Sequence, residues 1–431
     1  MNLNPKILAK IINGRPYKLK SKVIKGFSID SRTIKEGEVF IAIKGEKFDG
    51  HQFVEEAQKK SKTFAICEKP VKKDIILVKD TKEALKRIAK YLRELKRTRF
   101  IAITGSNGKT TTKEMVYQIL STHYDVTKSI KSYNNLFGVA LTIFNLKDEE
   151  ICVCELGMNH RGEIDELARI VQPETGIVLN VAPAHIGFFK NIDEIAEAKK
   201  ELIRYPQKLI LNADDEKIKD WKTEKETIWF GIKSGDVRAR NIEVSENGTD
   251  FICEGVDFHL NFIGIHHVYN ALAAICAGRL YGIGMHTMSD ALRKVNPSEG
   301  RGKVFEKRGI KIYDSSYNAN PKSMECELEA FSFLSGKRKI AVLGDMLELG
   351  EKARDFHIEI GRKLEKYGIN YLIAYGDLAK YYLEDVKIPS YYFSSKEELT
   401  QFLHKFVEEG DAVFFKASRK IGLDEVINEV F

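Results

Sequence analysis

The first 97 residues alternate short apolar runs with charged, amphipathic stretches. A helix is predicted over residues 5–12, because Asn13-Gly14 supplies residues that tolerate the left-handed conformation at a helix end. A second helix is predicted over residues 81–96, with Thr81 as its N-cap. The apolar runs that predict strands lie at residues 39–43, 64–67 and 75–78. This mixture predicts a small α/β domain.

From Arg99 onward, apolar strands alternate with helical stretches. The predicted strands cover residues 100–103, 151–154 and 177–179. Their near-continuous apolar character indicates a parallel sheet that is covered on both faces. Residues 228–262 change to short strands and turns, which favours an antiparallel flap, and a helix rich in small residues is predicted over 270–280.

A further α/β pattern follows Asn296-Pro297. Its predicted strands lie at residues 310–313, 340–343, 371–374 and 412–415. Asn320-Pro321 predicts a helix start, with an N-cap followed by proline at the first position, and Ser395 begins a capping box. The chain is therefore predicted to be α/β with three domains. These are a small α/β domain (1–97), a central parallel-sheet domain (98–297) and a C-terminal Rossmann-like domain (298–431).

Charge and composition narrow the classes of function. The 69 basic and 62 acidic residues are interspersed, so the net charge of +7 favours small anionic substrates and indicates no nucleic-acid partner. No apolar run approaches the roughly 20 residues of a membrane span. The first residues lack the apolar core of a signal peptide, so a cytoplasmic protein is expected. The six cysteines include no C-x-x-C pair, and Cys152 and Cys154 are expected to be core thiols.

A glycine loop follows the strand at 100–103 and precedes a helix that is predicted to reach Leu120. Backbone N–H groups of such a loop and the helix dipole favour phosphate. Lys109 can reach terminal phosphates, and the Thr110 hydroxyl can bind Mg²⁺. The predicted nucleotide-binding residues are Gly105, Ser106, Asn107, Gly108, Lys109, Thr110 and Thr111. The strict spacing requires glycine where Ile103 stands, so a tight strand-to-helix turn with an incidental Lys-Thr is the alternative.

Two more predicted strands end in residues that can bind a metal. Glu155 follows one strand, and His185 lies shortly after the other. Because ligands gather at the carboxyl ends of parallel strands, these side chains are candidates for a second Mg²⁺. Taken singly, each is more simply a polar strand end. Lys199 and Lys200 lie on a predicted helix that begins near Ile192, and their pattern by itself indicates a solvated face.

With these motifs the chain resembles the Mur ligases of peptidoglycan synthesis over essentially its whole length. Segments similar to the family's uridine-nucleotide domain are 28–32, 37–45 and 48–53. Segments similar to its ATP domain are 104–111, 132–135, 155–159 and 180–185. Segments similar to its C-terminal domain are 300–302, 314–324, 343–350 and 416–419. The Tyr-Asn-Ala-Asn-Pro stretch at 317–321 resembles the members that add D-alanyl-D-alanine, and no Asp-Asn-Pro-Arg stretch of the diaminopimelate- or lysine-adding members is found.

The resemblance implies an ATP- and Mg²⁺-dependent ligase, with two Mg²⁺ sites, that joins UDP-N-acetylmuramoyl-tripeptide to D-alanyl-D-alanine through an acyl-phosphate. It implies that Lys109, Lys199, His185 and Arg301 are catalytic. Implied metal ligands are Thr110, Glu155, His185 and a carbamylated Lys199, with Lys200 as the alternative one residue away. Asn270 is implied near adenine, Arg301 at the γ-phosphate and Asp314 at the ribose. Implied substrate contacts are Ser31, Arg32, Lys44, Asn134, Asn135, Tyr317, Asn318 and Asn320.

Three positions depart from the family pattern: Ser315 replaces an aspartate, His267 an asparagine and Ala417 a glycine. A folate polyglutamate ligase is one rival hypothesis, although it would give the first 97 residues no role. A P-loop regulatory ATPase is another. A monomer is expected, and so is closure of the C-terminal domain over the ATP domain. The third residue of the tripeptide stays open.

Overall fold

The structure is a computed structural model that describes residues 3–19, 24–45, 48–71 and 74–431. The chain divides into two compact units. The first unit contains Met1–Ala102, Asp125–Leu156 and Asp165–Pro173. The second unit contains Ile103–Tyr124, Gly157–Ile164 and Glu174–Phe431. No helix in the described part of the chain is both long and apolar enough to cross a membrane.

The N-terminal elements are short, and all belong to the first unit. The helices are α1 Pro5–Ile11, α2 Val54–Ser61 and α3 Thr81–Glu94, and the strands are β1 Arg15–Tyr17, β2 Gly26–Ser28, β3 Glu38–Ile41, β4 Ala65–Cys67 and β5 Ile75–Leu77. They form a sheet of order β1-β5-β4-β3-β2, parallel except at the β1–β5 pair. Apolar side chains of the sheet and α2 pack into one core that includes Phe40, Val54 and Ile75.

Two helix ends in this unit test the capping predictions. Asn13 has a φ of 51° and follows α1, as predicted. The prediction that Thr81 caps α3 is wrong, because the Asp80 carboxylate accepts from the N–H groups of Lys82 (2.7 Å) and Glu83 (3.0 Å). Thr81 is instead the first helical residue and donates its hydroxyl to Glu68. Both residue types suit an N-cap, and only the backbone geometry distinguishes them.

The central region continues the chain through both units. Its elements are β6 Arg99–Thr104, α4 Lys109–Leu120, β7 Val126–Lys128, α5 Leu136–Phe144, β8 Ile151–Glu155, α6 Glu163–Val171, β9 Thr175–Val178, α7 Ile192–Lys200, β10 Lys208–Asn212, β11 Glu226–Gly231, β12 Val237–Ser245, β13 Gly248–Cys253, β14 Val256–Leu260, α8 Ile265–Leu280 and α9 Met285–Leu292. Within the first unit, β7 and β8 pair in parallel. Within the second, β9, β10, β11 and β12 pair in parallel, and β12, β13 and β14 form the predicted antiparallel flap.

The helix predicted to begin at Asn270 starts five residues earlier, at Ile265. Gly264, with a φ of 117°, precedes it, and two adjacent histidines occupy its first turn. The two histidines interrupt the pattern of small residues, which is why the predicted start lies too far along the chain. Asn270 therefore projects from the body of α8 and not from its start.

The C-terminal region forms a six-stranded sheet in the second unit. Its elements are β15 Lys303–Lys307, β16 Ile310–Asp314, α10 Pro321–Ser332, β17 Lys339–Gly344, α11 Ala353–Lys363, β18 Tyr371–Tyr375, β19 Ser390–Phe393, α12 Lys396–Phe406, β20 Ala412–Lys416 and α13 Leu423–Val430. The strand order is β15-β16-β20-β17-β18-β19, parallel except for β15. The predicted caps Asn320 and Ser395 are both confirmed.

Candidate active site

The loop between β6 and α4 is built on two glycines with unusual backbone conformations. Gly108 has a φ of 85° and directly precedes α4. A Cβ atom at Gly108 would lie 2.3 Å from the Asn270 Oδ1 atom, and one at Gly105 would lie 2.9 Å from the Leu179 Cβ atom. Larger residues therefore cannot replace these glycines without moving the neighbours. The first N–H groups of a helix lack intrahelical partners, so the start of α4 presents donors suited to an anion.

The same loop is tied to the chain that follows β9. The N–H of Asn107 donates to the Asn180 side-chain oxygen (2.9 Å), and the Asn180 amide donates to the Asn107 carbonyl (3.1 Å). The Ser106 hydroxyl donates to the Ala182 carbonyl and accepts from the Ala182 N–H, both at 2.9 Å. This reciprocal bonding holds the loop in one conformation.

The C-terminal region also contacts the loop. The Asn320 side-chain amide donates to the Asn107 side-chain oxygen at 2.7 Å, and the Asn107 amide lies 3.4 Å from the Asn320 oxygen. Asn320 is also the N-cap of α10, where its oxygen accepts from the Ser323 N–H at 2.9 Å. The predicted substrate residue Asn320 is thus beside the predicted nucleotide residue Asn107, within the second unit.

Lys109 begins α4, and its ammonium group folds back over the loop. Its Nζ atom donates to the Gly105 carbonyl at 2.6 Å and lies 3.4 Å from the Ser106 carbonyl. Thr110 and Thr111 are both buried next to it on the first turn of the helix. The predicted phosphate-binding residues are therefore contiguous in space as well as in sequence.

Lys199 and Lys200 differ sharply although they are neighbours on α7. Lys199 is buried, and burial together with the charge of Lys109 lowers the pKa of Lys199 well below its ordinary value. The Lys200 side chain is 35% exposed and lies 5.9 Å from the Trp221 ring. Asp215 is the nearby carboxylate that favours a charged Lys199, and burial raises the pKa of Asp215 itself. The buried lysine, rather than its neighbour, is the one whose pKa responds to the charge of Lys109.

His185 adopts a left-handed conformation with a φ of 59° in the loop that follows β9, directly before a 3-10 turn at Ile186–Phe188. Its Nδ1 atom lies 2.5 Å from the Glu348 carboxylate. Burial lowers the pKa of His185, and the charges of Lys109 and Lys199 lower it further, while Glu348 acts in the opposite direction. These electrostatic effects indicate that His185, Lys109 and Lys199 share one neighbourhood.

A second group of predicted residues surrounds the start of the C-terminal region. The Arg301 guanidinium carbon stacks 3.9 Å from the centre of the Tyr317 ring. Asp314 is buried at the end of β16, and its carboxylate accepts from the N–H groups of Gly300 and Ser316, both at 3.0 Å. Both carboxylate oxygens of Asp314 therefore have a backbone donor. Asn318, predicted as a substrate residue, accepts through its carbonyl from the Lys416 ammonium at 3.0 Å.

Asn270 is buried on α8, where its amide nitrogen lies 3.5 Å from the His267 Nδ1 atom. Burial lowers the pKa values of both His266 and His267 and so favours the neutral form of each ring. The His266 Nε2 atom lies 3.9 Å from the Glu327 carboxylate, which accepts from the Tyr313 hydroxyl at 2.6 Å. These contacts form a polar seam between α8 and the C-terminal sheet.

Two further groups of predicted site residues lie in the first unit. Glu155 is buried at the end of β8, and its N–H donates to the Ser129 hydroxyl at 3.4 Å. Asn135 is the N-cap of α5, because its side-chain oxygen accepts from the Gly138 N–H at 3.1 Å, and Asn134 precedes it half-buried. Asn135 therefore caps a helix, a structural role that was not predicted from the sequence.

The predicted uridine-side residues Ser31, Arg32 and Lys44 are mostly surface groups. The Arg32 side chain is 83% exposed and forms two bonds to the Asp30 carboxylate, at 2.7 and 2.9 Å. Its hydrogen bond lowers the pKa of Asp30. Ser31 is buried and accepts through its carbonyl from the Lys60 ammonium at 3.0 Å, while Lys44 is exposed.

The second unit fits a nucleotide phosphate and Mg²⁺. Close packing against Asn270 requires glycine at position 108, and a glycine loop that leads into a helix N-terminus is the kind of backbone that binds phosphate. The Thr110 hydroxyl and the His185 ring are donors compatible with a divalent cation. Lys109 supplies fixed positive charge beside them. A carbamate on Lys199 would convert a buried amine into an oxygen ligand.

Several residues at this site were missed by the sequence analysis. Glu348 and Lys416 lie inside segments that resemble the family but were assigned no function there. Asp215 was not among the predicted site residues. His266 lay in the first turn of a helix predicted to begin later. No local pattern distinguishes these residues from surface charges, because their contacts join positions between about 16 and 163 residues apart. Their roles become apparent only from the packing of the folded chain around the loop.

Comparison with known proteins decides the family. Family profiles match residues 103–278 ("Mur ligase middle domain"), 300–419 ("Mur ligase, glutamate ligase domain") and 23–99 ("Mur ligase family, catalytic domain"). The UDP-N-acetylmuramoyl-tripeptide--D-alanyl-D-alanine ligase of Bacillus subtilis (strain 168) is 34% identical over 427 residues, which cover 95% of this chain and 93% of that one. The chain belongs to the Mur ligase family.

Solved structures agree with this assignment. A MurF structure from Acinetobacter baumannii has a TM-score of 0.91 at 31% identity and covers 100% of this chain and 99% of that one. The MurF ligase of Thermotoga maritima, determined in complex with ADP, has a TM-score of 0.84 at 30% identity, with coverage of 94% and 96%. The predicted three-domain α/β architecture of a Mur ligase is confirmed.

Proposed function

We propose that this Mur ligase adds D-alanyl-D-alanine to UDP-N-acetylmuramoyl-tripeptide, using ATP and passing through an acyl-phosphate. The observation that carries the proposal is near-full-length similarity to ligases of that name, 34% identical in one case. The Tyr-Asn-Ala-Asn-Pro stretch at residues 317–321 supports the same member of the family.

In the proposed reaction the tripeptide carboxylate attacks the γ-phosphate of ATP, and ADP leaves. The amine of D-alanyl-D-alanine then attacks the acyl-phosphate carbon, inorganic phosphate leaves, and the nitrogen loses a proton as the amide forms. Lys109 and Arg301 are proposed to offset charge on the transferred phosphate. Asn270 is assigned to adenine and Asp314 to the ribose. Holding both reactants in one geometry can supply effective molarities of about 10⁵ M or more.

Thr110, Glu155, His185 and carbamylated Lys199 are the proposed ligands of two Mg²⁺ ions. When bound, Mg²⁺ supplies positive charge that offsets the charge of the phosphates. Lys199 suits carbamylation because its neutral amine is the form that reacts with CO₂, and burial beside Lys109 favours that form. Glu155 lies in the first unit, so its place at the metals rests on the family resemblance.

The remaining predicted residues are proposed to contact different parts of the substrates. Ser31, Arg32 and Lys44 are proposed to contact the uridine nucleotide, and Asn134 and Asn135 the peptide. Tyr317, Asn318 and Asn320 are proposed to contact the incoming dipeptide. We further propose a cytoplasmic monomer whose C-terminal domain closes over the ATP domain during the reaction, because a closed site excludes water from the acyl-phosphate.

A coupled phosphate-release assay tests the function directly. Turnover is expected only when ATP, UDP-N-acetylmuramoyl-tripeptide and D-alanyl-D-alanine are all present, and a panel of dipeptides measures specificity. Phosphate release with neither peptide substrate, stimulated by another protein, would favour a regulatory ATPase. Activity with folate and glutamate would favour the folate polyglutamate ligase. Scattering profiles that stay unchanged on adding nucleotide and substrate would contradict closure.

A further inference from the structure

Within the second unit, the candidate metal ligand His185 contacts a residue of the loop that follows β17 in the C-terminal region. Its Nδ1 atom lies 2.5 Å from the Glu348 carboxylate. The backbones of the two loops are also hydrogen-bonded, because the Gly187 N–H donates to the Glu348 carbonyl at 2.9 Å. A Cβ atom at Gly187 would lie 2.6 Å from the Gly350 nitrogen. The two loops are therefore in direct backbone contact, which only small residues allow.

Both partners of this contact have uncommon backbone conformations. His185 has a φ of 59° and Glu348 a φ of 64°, and neither is glycine. Non-glycine residues in the left-handed region persist only where the surroundings hold them there, and they cluster at functional sites. Each conformation directs its side chain toward the other.

Hydrogen bonds to two other residues stabilise the loop that carries Glu348. The Met346 N–H donates to the His357 Nε2 atom at 3.0 Å, and the Leu347 N–H donates to the Ser418 hydroxyl at 2.9 Å. His357 is fully buried, and its Nδ1 atom lies 2.6 Å from the Ala353 carbonyl. The carboxylate is thus presented on a supported loop and does not depend on a flexible surface side chain.

We propose that Glu348 is a positioning residue for the metal site: its carboxylate accepts a hydrogen bond from the Nδ1–H of His185, which leaves the Nε2 lone pair to bind the metal. This inference rests on the proposed function, which makes His185 a metal ligand. A carboxylate partner fixes the tautomer and the orientation of a ligating histidine and raises its basicity. Because Glu348 belongs to the C-terminal region, the metal site has its full set of partners only when that region is docked on the His185 loop.

This arrangement couples metal binding to docking of the C-terminal region. Coupling between two binding events is reciprocal, so docking strengthens metal binding and metal binding strengthens docking. Loss of Glu348 should therefore weaken metal affinity and also reduce compaction on adding metal and nucleotide. Removal of an exposed glutamate that does not contact His185 would change neither quantity.

The test uses the full-length protein with Mn²⁺ in place of Mg²⁺ and a non-hydrolysable ATP analogue. Electron spin echo spectroscopy detects a ¹⁴N coupling when a histidine nitrogen binds Mn²⁺, and titration gives the affinity. Glu348→Ala is expected to lower Mn²⁺ affinity by about 10- to 100-fold and to weaken the ¹⁴N coupling. Glu348→Gln, which keeps a hydrogen-bond acceptor, is expected to lie between Glu348→Ala and the wild type.

The matched control is Glu351→Ala, an exposed glutamate three residues further along the same loop. It is expected to match the wild type, and His185→Ala is expected to abolish the ¹⁴N coupling. Wild-type affinity and coupling in Glu348→Ala would overturn the inference, and so would absence of ¹⁴N coupling in the wild-type protein. Substrate-dependent phosphate release is measured on the same preparations. Its presence with an unchanged Glu348→Ala variant would refute the inference alone, whereas its absence would refute the proposed function.

Discussion

The phosphate-loop region and the uridine-side region differ in how far their charged residues are buried and hydrogen-bonded. In the second unit, Lys199 is buried and the loop carrying Lys109 is bound by reciprocal hydrogen bonds to Asn180 and Ala182. In the first unit, the Arg32 side chain is 83% exposed and pairs only with the adjacent Asp30 in the described contacts. In the first arrangement contacts within the protein orient the groups, whereas in the second the cation is exposed to solvent.

The difference follows from what each region is proposed to do. Stabilising charge in a transition state requires groups that are already oriented, because reorganisation would add to the barrier. Recognition of a substrate's remote part contributes binding energy and tolerates side chains that order on contact. Substitutions in the two regions should therefore differ in size and in the kinetic constant they affect.

The largest effect is expected for Lys109→Ala. Removing a pre-oriented charge at the transferred phosphate should lower kcat by about 10³-fold. The measurement is phosphate release at saturating substrates, with thermal unfolding as a check that the fold persists. A loss below tenfold would show that the buried region is not more sensitive than the exposed one.

The next effect separates two adjacent lysines. Lys199→Ala should lower kcat by roughly 10²-fold, because the proposed oxygen ligand is lost. Lys200→Ala, which removes a partly exposed neighbour, should stay within about twofold of the wild type because surface substitutions are usually tolerated. A carbamate signal in ¹³C NMR after exposure to ¹³CO₂ should vanish in Lys199→Ala only. A signal lost in Lys200→Ala instead would reassign the carbamate.

The buried His357 predicts a pH dependence of stability. Burial lowers its pKa from 6.5 to about 4, so below pH 6.5 the unfolded chain binds a proton that the folded chain does not. Its contribution to stability is complete above pH 6.5 and is lost as the pH falls toward 4, by about 1.4 kcal/mol per unit. His357→Gln should flatten this part of the thermal-midpoint profile, whereas His404→Gln, at an exposed position, should not. Equal slopes in both variants would contradict the assignment.

Asn320 offers a smaller test, because its two contacts can be separated. Asn320→Asp keeps the helix cap but loses the amide donor to Asn107, so kcat/KM should fall about fivefold with little change in thermal midpoint. Asn320→Ala should lose the cap as well and destabilise the protein by about 1 kcal/mol. Identical kinetics for Asn320→Asp and the wild type would show that the amide pair does not position the loop.

The smallest effect is expected on the uridine side. Arg32→Ala should raise KM for the UDP-linked substrate by roughly fivefold and leave kcat unchanged, as loss of uniform binding does. The thermal midpoint should not move, since exposed ion pairs contribute little to stability. A fall in kcat with unchanged KM would place Arg32 among the pre-oriented groups and remove the contrast between the regions.

Several elements could be predicted from the sequence because their signals are local. The start of the helix at Asn320-Pro321, the end of the first helix at Asn13 and the glycine loop before Lys109 all lie where predicted. Turn, cap and strand preferences act over a few residues, so they can be read from a short window. Motif resemblance extended this local reading to the family.

Which of several residues of the same type makes a contact depends on the tertiary structure. Lys199 and Lys200 are the same residue type one position apart, and only packing of α7 buries one and leaves the other partly exposed. Glu348 reaches His185 across 163 positions of chain, a distance that no local period encodes. Burial and long-range pairing are properties of the folded chain, because they depend on which surfaces the sheets bring together.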